Sequence, residues 1–141
     1  MTSAQERVKH ALVVEDERDY AALIATMLRE AGLKVTVAYD GDEALSRVRE
    51  QVPDLITLDI QMPRKGGIMF YRQLKSKAEF REIPVIVITG LTRGDRDMST
   101  FIHSFLERDH LPHPEAYLEK PIEQESLLKV AADVLGCGSP G

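Results

Sequence analysis

Five short, mostly apolar segments alternate with five amphipathic segments along this chain, and the alternation restricts the possible folds more than any other feature. We predict strands over residues 10–14, 34–39, 54–58, 84–89 and 115–119. Strands that alternate with helices form a parallel sheet with helices on both faces. Right-handed crossovers then leave few possible strand orders.

The predicted helices carry recognisable stripes and caps. The first has apolar residues at helical spacing: Leu23, Ile24, Met27, Leu28 and Ala31. Gly32 follows as a C-cap, and Asp40 with Glu43 forms a capping-box pattern that opens the second helix, which runs to about residue 50. The third helix is predicted over about residues 67–77. Apolar stripes within 98–106 and 127–135 predict the fourth and fifth, and the fourth, of about three to four turns, is broken by residues 110–114. We therefore predict an α/β fold: a flavodoxin-like, doubly wound, five-stranded parallel sheet (order 2-1-3-4-5) with five helices in three α/β/α layers.

Composition places the chain among globular proteins, with 43% hydrophobic and 29% charged residues. The net charge of −5 and the lack of a basic cluster argue against a nucleic-acid partner. No apolar run has the length of a membrane span, and a single cysteine, Cys137, fits a reducing, cytoplasmic compartment. We predict one domain over residues 9–135, with flexible termini at 1–8 and 136–141.

The predicted strand order brings polar residues from four distant segments to one edge of the sheet. Glu15 and Asp16 follow the first strand, Asp59 the third, Thr89 ends the fourth, and Lys120 follows the fifth. Three carboxylates at one site require a compensating cation, and oxygen ligands without His or Cys favour Mg²⁺. With a lysine to hold a phosphoryl oxygen, this set fits phosphoryl transfer onto a carboxylate.

Each of these residues, taken singly, also has a structural interpretation. Glu15 or Asp59 is suited to cap a helix or a turn, and Lys120 to sit as a solvated surface charge. The Thr89 hydroxyl could bond its own backbone, and Tyr117 could be a half-buried strand aromatic. Their joint occurrence at one sheet edge favours the functional interpretation.

Four segments in order resemble the receiver domain of two-component response regulators: LVVEDE, LITLDIQMP, VIVITG and YLEKPI, over about residues 9–135. The resemblance implies that Asp59 is the phosphoacceptor and that Thr89 and Lys120 act with it. It implies a Mg²⁺ cofactor held by Glu15, Asp16, Asp59 and the backbone carbonyl of Gln61. Thr89 and Tyr117 would form a switch pair, and the peptide bond before Pro121 would be cis.

The resemblance implies signal relay and not enzymatic turnover of a substrate. Asp59 would take a phosphoryl group from a sensor histidine kinase or phosphotransfer protein. The new charge would alter the face of the fourth helix, fifth strand and fifth helix for an unidentified protein partner. Two alternatives remain: a pseudo-receiver that docks without phosphorylation, and an aspartyl-phosphate phosphatase. The phosphatase needs an Asp as general acid where this chain has Gln61.

Several positions depart from the family pattern. Gly66 stands where an acidic residue is frequent, so the next helix should begin without an acidic cap. Gln61 and Leu91 at the expected water-guiding positions predict slow self-dephosphorylation. The segment 90–116 is enlarged, which indicates a longer helix or an ordered proline-braced loop. Its histidines, His103, His110 and His113, lack helical ligand spacing, so no transition-metal site is predicted, and Cys137 is interpreted as an incidental thiol.

Overall fold

The computed structural model describes residues 8–60, 66–90, 104, 106–108 and 110–136. The strands are β1 (His10–Val14), β2 (Lys34–Ala38), β3 (Leu55–Asp59), β4 (Val85–Thr89) and β5 (Ala116–Glu119). The helices are α1 (Arg18–Glu30), α2 (Gly41–Glu50), α3 (Gly67–Ser76), α4 (helical residues 104 and 106–108) and α5 (Gln124–Leu135). The strands form one parallel sheet in the order β2-β1-β3-β4-β5, so the predicted fold is confirmed.

Two apolar clusters cover the two faces of the sheet. One packs the side chains of Leu12 and Val14 from β1 against α2 and α3. The other packs the alternate residues of the same strand, Ala11 and Val13, against α1 and α5. Every residue of β1, β3 and β4 is buried, as expected for central parallel strands, while β2 is only partly buried. The sheet therefore lies between two layers of helices, which confirms the predicted three-layer arrangement.

β1 has the predicted bounds, and the boundaries of the other four strands differ from the predicted ones by at most one residue. β3 begins at Leu55, and the preceding Asp54 is bound to His10 twice: its Oδ2 accepts from the His10 amide at 2.8 Å, and its own amide donates to the His10 carbonyl at 2.7 Å. β5 begins at Ala116, and the preceding Glu115 Oε1 accepts a hydrogen bond from the Val85 amide at 2.8 Å. At the other end of β3, Asp59 is the last residue of the strand and not, as predicted, the residue after it.

The helix caps follow the sequence signals closely. At the end of α1, Gly32 takes a left-handed φ of 94° and its amide donates to the Arg29 carbonyl at 2.9 Å. At the start of α2, Asp40 Oδ1 accepts from the Glu43 amide at 2.8 Å, as a capping box requires. The predicted α1 stripe is wrong at two positions: Leu23 is 43% exposed and Ala31 is exposed. Ala21 and Ala25 are buried on that helix instead.

Much of the enlarged segment lies outside the described residues, as do Leu91 and His103. Residues 106–108 at its described end are helical, in agreement with the predicted break of the helix at 110–114. The helix then ends at His110, which has a left-handed φ of 56°, and the Leu111 amide donates to the Leu106 carbonyl at 2.9 Å. The proline-containing connection to β5 is therefore present as expected, whereas the start of α4 lies outside the described residues and a longer helix stays a prediction.

Candidate functional site

The carboxyl ends of four strands bring the predicted site residues to one edge of the sheet. Glu15 extends the pairing of β1, since its amide donates to the Ala38 carbonyl at 3.0 Å. Asp59 and Thr89 are the last residues of β3 and β4, at 5% and 6% exposure, and Glu15 is 1% exposed. The Lys120 amide donates to the Thr89 carbonyl at 2.8 Å, so backbone pairing sets the position of each side chain.

The ammonium group of Lys120 bridges two buried carboxylates. Its Nζ lies 3.1 Å from Glu15 Oε1 and 3.4 Å from Asp59 Oδ2. Burial by itself lowers the pKa of Lys120, but the interactions with Glu15 and Asp59 outweigh it and raise that pKa. Burial, followed by the charge of Asp59, raises the pKa of the Glu15 carboxyl to about 7 against the opposing effect of Lys120. Glu15 is therefore affected by both its burial and the charge of Asp59, although the ammonium of Lys120 lies beside it.

Three of the predicted metal ligands lie together. Glu15, Asp16 and Asp59 each offer a carboxylate oxygen within 4.8 Å of the other two, and Asp16 is exposed while the others are buried. In the part of the chain that the structure describes, no other group of acidic, His or Cys side chains is so arranged. An oxygen-only set with one side open to solvent fits Mg²⁺, which keeps several waters. Gln61, the predicted carbonyl ligand, lies outside the described residues.

The predicted switch residues lie on neighbouring strands. Thr89 pairs with Glu119, and Tyr117 pairs with Val87, so the two side chains stand two positions apart along the ladder. Tyr117 is 38% exposed, and burial of the rest of the side chain raises the pKa of its hydroxyl. His110 and His113, in contrast, are exposed and belong to no metal-binding group among the described residues.

Two features of the site were missed in the sequence. Tyr20 of α1 contacts the β5–α5 connection: Lys120 Nζ lies 4.3 Å from its ring centroid, and its hydroxyl accepts from the Ile122 amide at 2.9 Å. The Lys120–Pro121 bond in this connection is cis, as the resemblance implied. The only available signal was an aromatic residue with a polar tip four positions after Asp16, on a helix that faces the site.

The second missed feature is Gly67, the first residue of α3. A Cβ at this position would lie 2.7 Å from the Asp59 carbonyl oxygen and 2.9 Å from Ile60 Cα, so only glycine permits this approach of α3 to β3. The preceding Gly66 is the N-cap, and no acidic residue lies in the first turn of α3, as predicted. In the sequence, Gly67 was recognised only as the first residue of the predicted helix, and its close approach to β3 was not foreseen.

Comparison with known proteins adds independent evidence. The family model of the response regulator receiver domain matches residues 11–132. The chain is 33% identical over 129 residues to the polar-differentiation response regulator DivK of Brucella ovis, which covers 91% of this chain and 97% of that protein. No helix among the described residues has the length and apolar character needed to cross a membrane.

Solved structures show the same fold. A CheY-like response regulator receiver domain protein from Methanospirillum hungatei matches with a TM-score of 0.77 at 21% identity, over 92% of this chain and 95% of that one. The receiver domain of the sensor histidine kinase PA1611 from Pseudomonas aeruginosa matches with a TM-score of 0.76 at 26% identity, over 92% and 99%. That structure has a magnesium ion coordinated in its active-site cleft.

Proposed function

This chain belongs to the response regulator receiver domain family, and we propose that its Asp59 accepts a phosphoryl group from the phosphohistidine of a sensor histidine kinase or phosphotransfer protein. The observation that carries the proposal is the position of Lys120, whose ammonium lies within 3.4 Å of both Asp59 and Glu15 at the open edge of the sheet. A purely structural ion pair would need only one of these acids.

The proposed step is an in-line displacement at phosphorus. An Asp59 carboxylate oxygen forms the new O–P bond while the P–N bond to the donor histidine breaks. The leaving imidazole keeps the electron pair of that bond and takes a proton from solvent. Lys120 stabilises the phosphoryl oxygens as a point charge, and the Thr89 hydroxyl donates to one of them. Burial of Asp59 favours the reaction, because the attacking carboxylate is only partly hydrated.

Mg²⁺ is the cofactor that we propose for this step. Glu15, Asp16 and Asp59 would hold it, with the Gln61 carbonyl as a further ligand. When bound, it supplies positive charge that offsets the repulsion between the carboxylates and the phosphoryl oxygens. The chemistry of the donor set supports a divalent cation here, since three carboxylates meet one lysine ammonium.

The output of this site is proposed to be a change in protein binding, not turnover of a substrate. Phosphorylation would draw Thr89 toward the phosphoryl group and rearrange Tyr117, altering the face formed by α4, β5 and α5. Tyr117 is exposed enough to take part in such a change. The downstream partner would be a protein, in the cytoplasm. Slow self-dephosphorylation stays a prediction, because Gln61 and Leu91 lie outside the described residues.

Phosphorylation by a small donor tests the proposal directly. The protein is incubated with Mg²⁺ and acetyl phosphate, and its intact mass is measured alongside the variants Asp59→Asn and Asp42→Asn. Asp42 is an exposed acid on α2, so its variant is the matched control. Wild type and Asp42→Asn should each gain one phosphoryl group, and Asp59→Asn should gain none. A wild type that gains no phosphoryl group and shows no response to beryllofluoride would indicate the pseudo-receiver alternative.

A further inference from the structure

We propose that Tyr20 is a positioning residue that holds the Lys120 ammonium in place for the phosphoryl group. The inference rests on the proposed function, since it assumes that Lys120 binds the transferred group. Two separate contacts support it: the ring of Tyr20 faces the ammonium at 4.3 Å, and its hydroxyl binds the Ile122 amide at 2.9 Å. One side chain on α1 thus contacts both the tip of Lys120 and the backbone that carries it.

The contact with the Tyr20 ring restricts the flexible side chain of Lys120. Its four-carbon stem is flexible, and holding the ammonium at one point costs side-chain entropy. An aromatic face attracts the cation without taking one of its three N–H donors in a strong hydrogen bond. The donors therefore remain directed at oxygens, first those of Glu15 and Asp59 and then those of the phosphoryl group.

The hydroxyl contact fixes the other end of the same side chain. The Lys120 amide is bound to Thr89 on β4, while two residues later the Ile122 amide is bound to Tyr20 on α1. The connection between β5 and α5 is thereby held on both sides at the level of the site. The start of the lysine stem is positioned by the hydroxyl, and its tip by the ring.

A simpler role for Tyr20 is core packing, because its side chain is partly buried against the apolar cluster under α1 and α5. Packing alone predicts an effect on stability that does not depend on Lys120. Positioning predicts that loss of the ring displaces the Lys120 ammonium, that loss of the hydroxyl alone has a smaller effect, and that both effects act through Lys120. The variants Tyr20→Phe and Tyr20→Leu separate these roles, since the first keeps the ring and the second removes both groups.

Tyr39→Leu is the matched control. The Tyr39 ring also lies under a cation, with Arg18 Cζ 4.1 Å from its centroid, and it is also partly buried against the same cluster. It therefore reports what the loss of a tyrosine ring and one cation contact does to the fold when Lys120 is not involved. We expect the rate of phosphorylation of this variant to be within about twofold of the wild-type rate.

The first measurement is NMR of the Lys120 side chain, assigned by comparison with Lys120→Met. Ring currents should move its ε-methylene protons upfield in wild type and in Tyr20→Phe, and the shift should disappear in Tyr20→Leu. The second is the rate of phosphorylation by acetyl phosphate at saturating Mg²⁺. Tyr20→Leu should be about threefold to tenfold slower, and Tyr20→Phe within about threefold of wild type. In a Lys120→Met background, Tyr20→Leu should cause no further slowing.

The proposal is overturned if Tyr20→Leu leaves both the Lys120 shifts and the rate unchanged, or if it slows the Lys120→Met variant by the same factor as wild type. A wild type that is not phosphorylated would contradict the proposed function instead. The NMR measurement would still show in that case whether Tyr20 holds Lys120, so the two failures are distinguishable.

Discussion

The Tyr71 hydroxyl donates a hydrogen bond of 2.6 Å to the Pro112 carbonyl and so joins α3 to the connection that precedes β5. Burial raises the pKa of this hydroxyl, so it remains a donor throughout the physiological range. We expect Tyr71→Phe to lower the free energy of unfolding by about 1 kcal/mol, since the carbonyl loses its donor. Urea unfolding measures this loss. Tyr39→Phe, which keeps the ring over which Arg18 lies, should change stability by less than about 0.5 kcal/mol.

Lys75 is a buried cation with backbone partners. It is 2% exposed, and its Nζ donates to the carbonyls of Arg81 and Ile83, which fixes the turn between α3 and β4. We expect Lys75→Met, which retains most of the apolar stem, to lower the free energy of unfolding by about 1–3 kcal/mol because both carbonyls lose a charged donor. Lys77→Met, at an exposed position, is the control. Equal urea midpoints for the two variants would contradict the structural role of Lys75.

His110 takes a left-handed backbone conformation, with φ of 56°, at the end of α4. The left-handed conformation costs a residue with a Cβ about 1–2 kcal/mol in conformational free energy, whereas glycine has no such cost. We therefore expect His110→Gly to raise the free energy of unfolding by about 0.5–1 kcal/mol, after the extra flexibility of the unfolded chain is deducted. His113→Gly, three residues on and without a positive φ, should give no gain. Thermal melting of the two variants decides the point.

The fold was predictable because local patterns and topology agree. The buried runs at residues 10–14 and 85–89 are continuous and apolar, and the rules for parallel connections leave few strand orders, of which 2-1-3-4-5 suits a sheet of five strands. The caps at Gly32 and Asp40 were also visible, since both depend on residues close in sequence. The prediction of the α1 stripe was wrong at Leu23 because the buried positions include Ala21 and Ala25. Alanine is only weakly hydrophobic, so an apolar pattern based on large side chains does not include these positions.

Only the site residues that lie at the ends of strands could be predicted from the sequence. Glu15, Asp59, Thr89 and Lys120 follow or end strands, so the topology alone brings them together. The role of Tyr20 depends on a contact with Ile122, far away in sequence, and that of Gly67 on a close approach of two backbones. Outside the site, the role of Lys75 depends on the conformation of the turn that follows its own helix. Lys75 lies on α3 beside apolar positions and looks like an ordinary surface lysine until the turn that accepts its hydrogen bonds is known.

Gly67 provides a steric test of how α3 and β3 meet. A Cβ there would lie 2.7 Å from the Asp59 carbonyl oxygen, which is backbone and does not move aside easily. We expect Gly67→Ala to lower the free energy of unfolding by about 1–3 kcal/mol and to slow phosphorylation of Asp59, since the strain falls on that residue. The added Cβ of Gly136→Ala would contact no atom within 4 Å, so this variant measures only the conformational cost of a side chain at a φ of 74°. It should leave the phosphorylation rate unchanged.

The raised pKa of Glu15 gives the site a defined pH dependence in the absence of metal. The folded pKa is about 7 and the ordinary value is 4.5, so between these values the folded state binds more protons than the unfolded state. The stability that Glu15 contributes is therefore fully present below about pH 4.5 and is lost as the pH rises through about 7.

Glu15→Gln removes this titration while keeping the size of the side chain. With a chelator present, the free energy of unfolding of wild type should fall relative to that of Glu15→Gln as the pH rises from 4.5 to 7. Glu119→Gln, at an exposed position, should run parallel to wild type. Parallel curves for Glu15→Gln would mean that the ammonium of Lys120 offsets both the burial of Glu15 and the charge of Asp59, which would contradict the raised pKa.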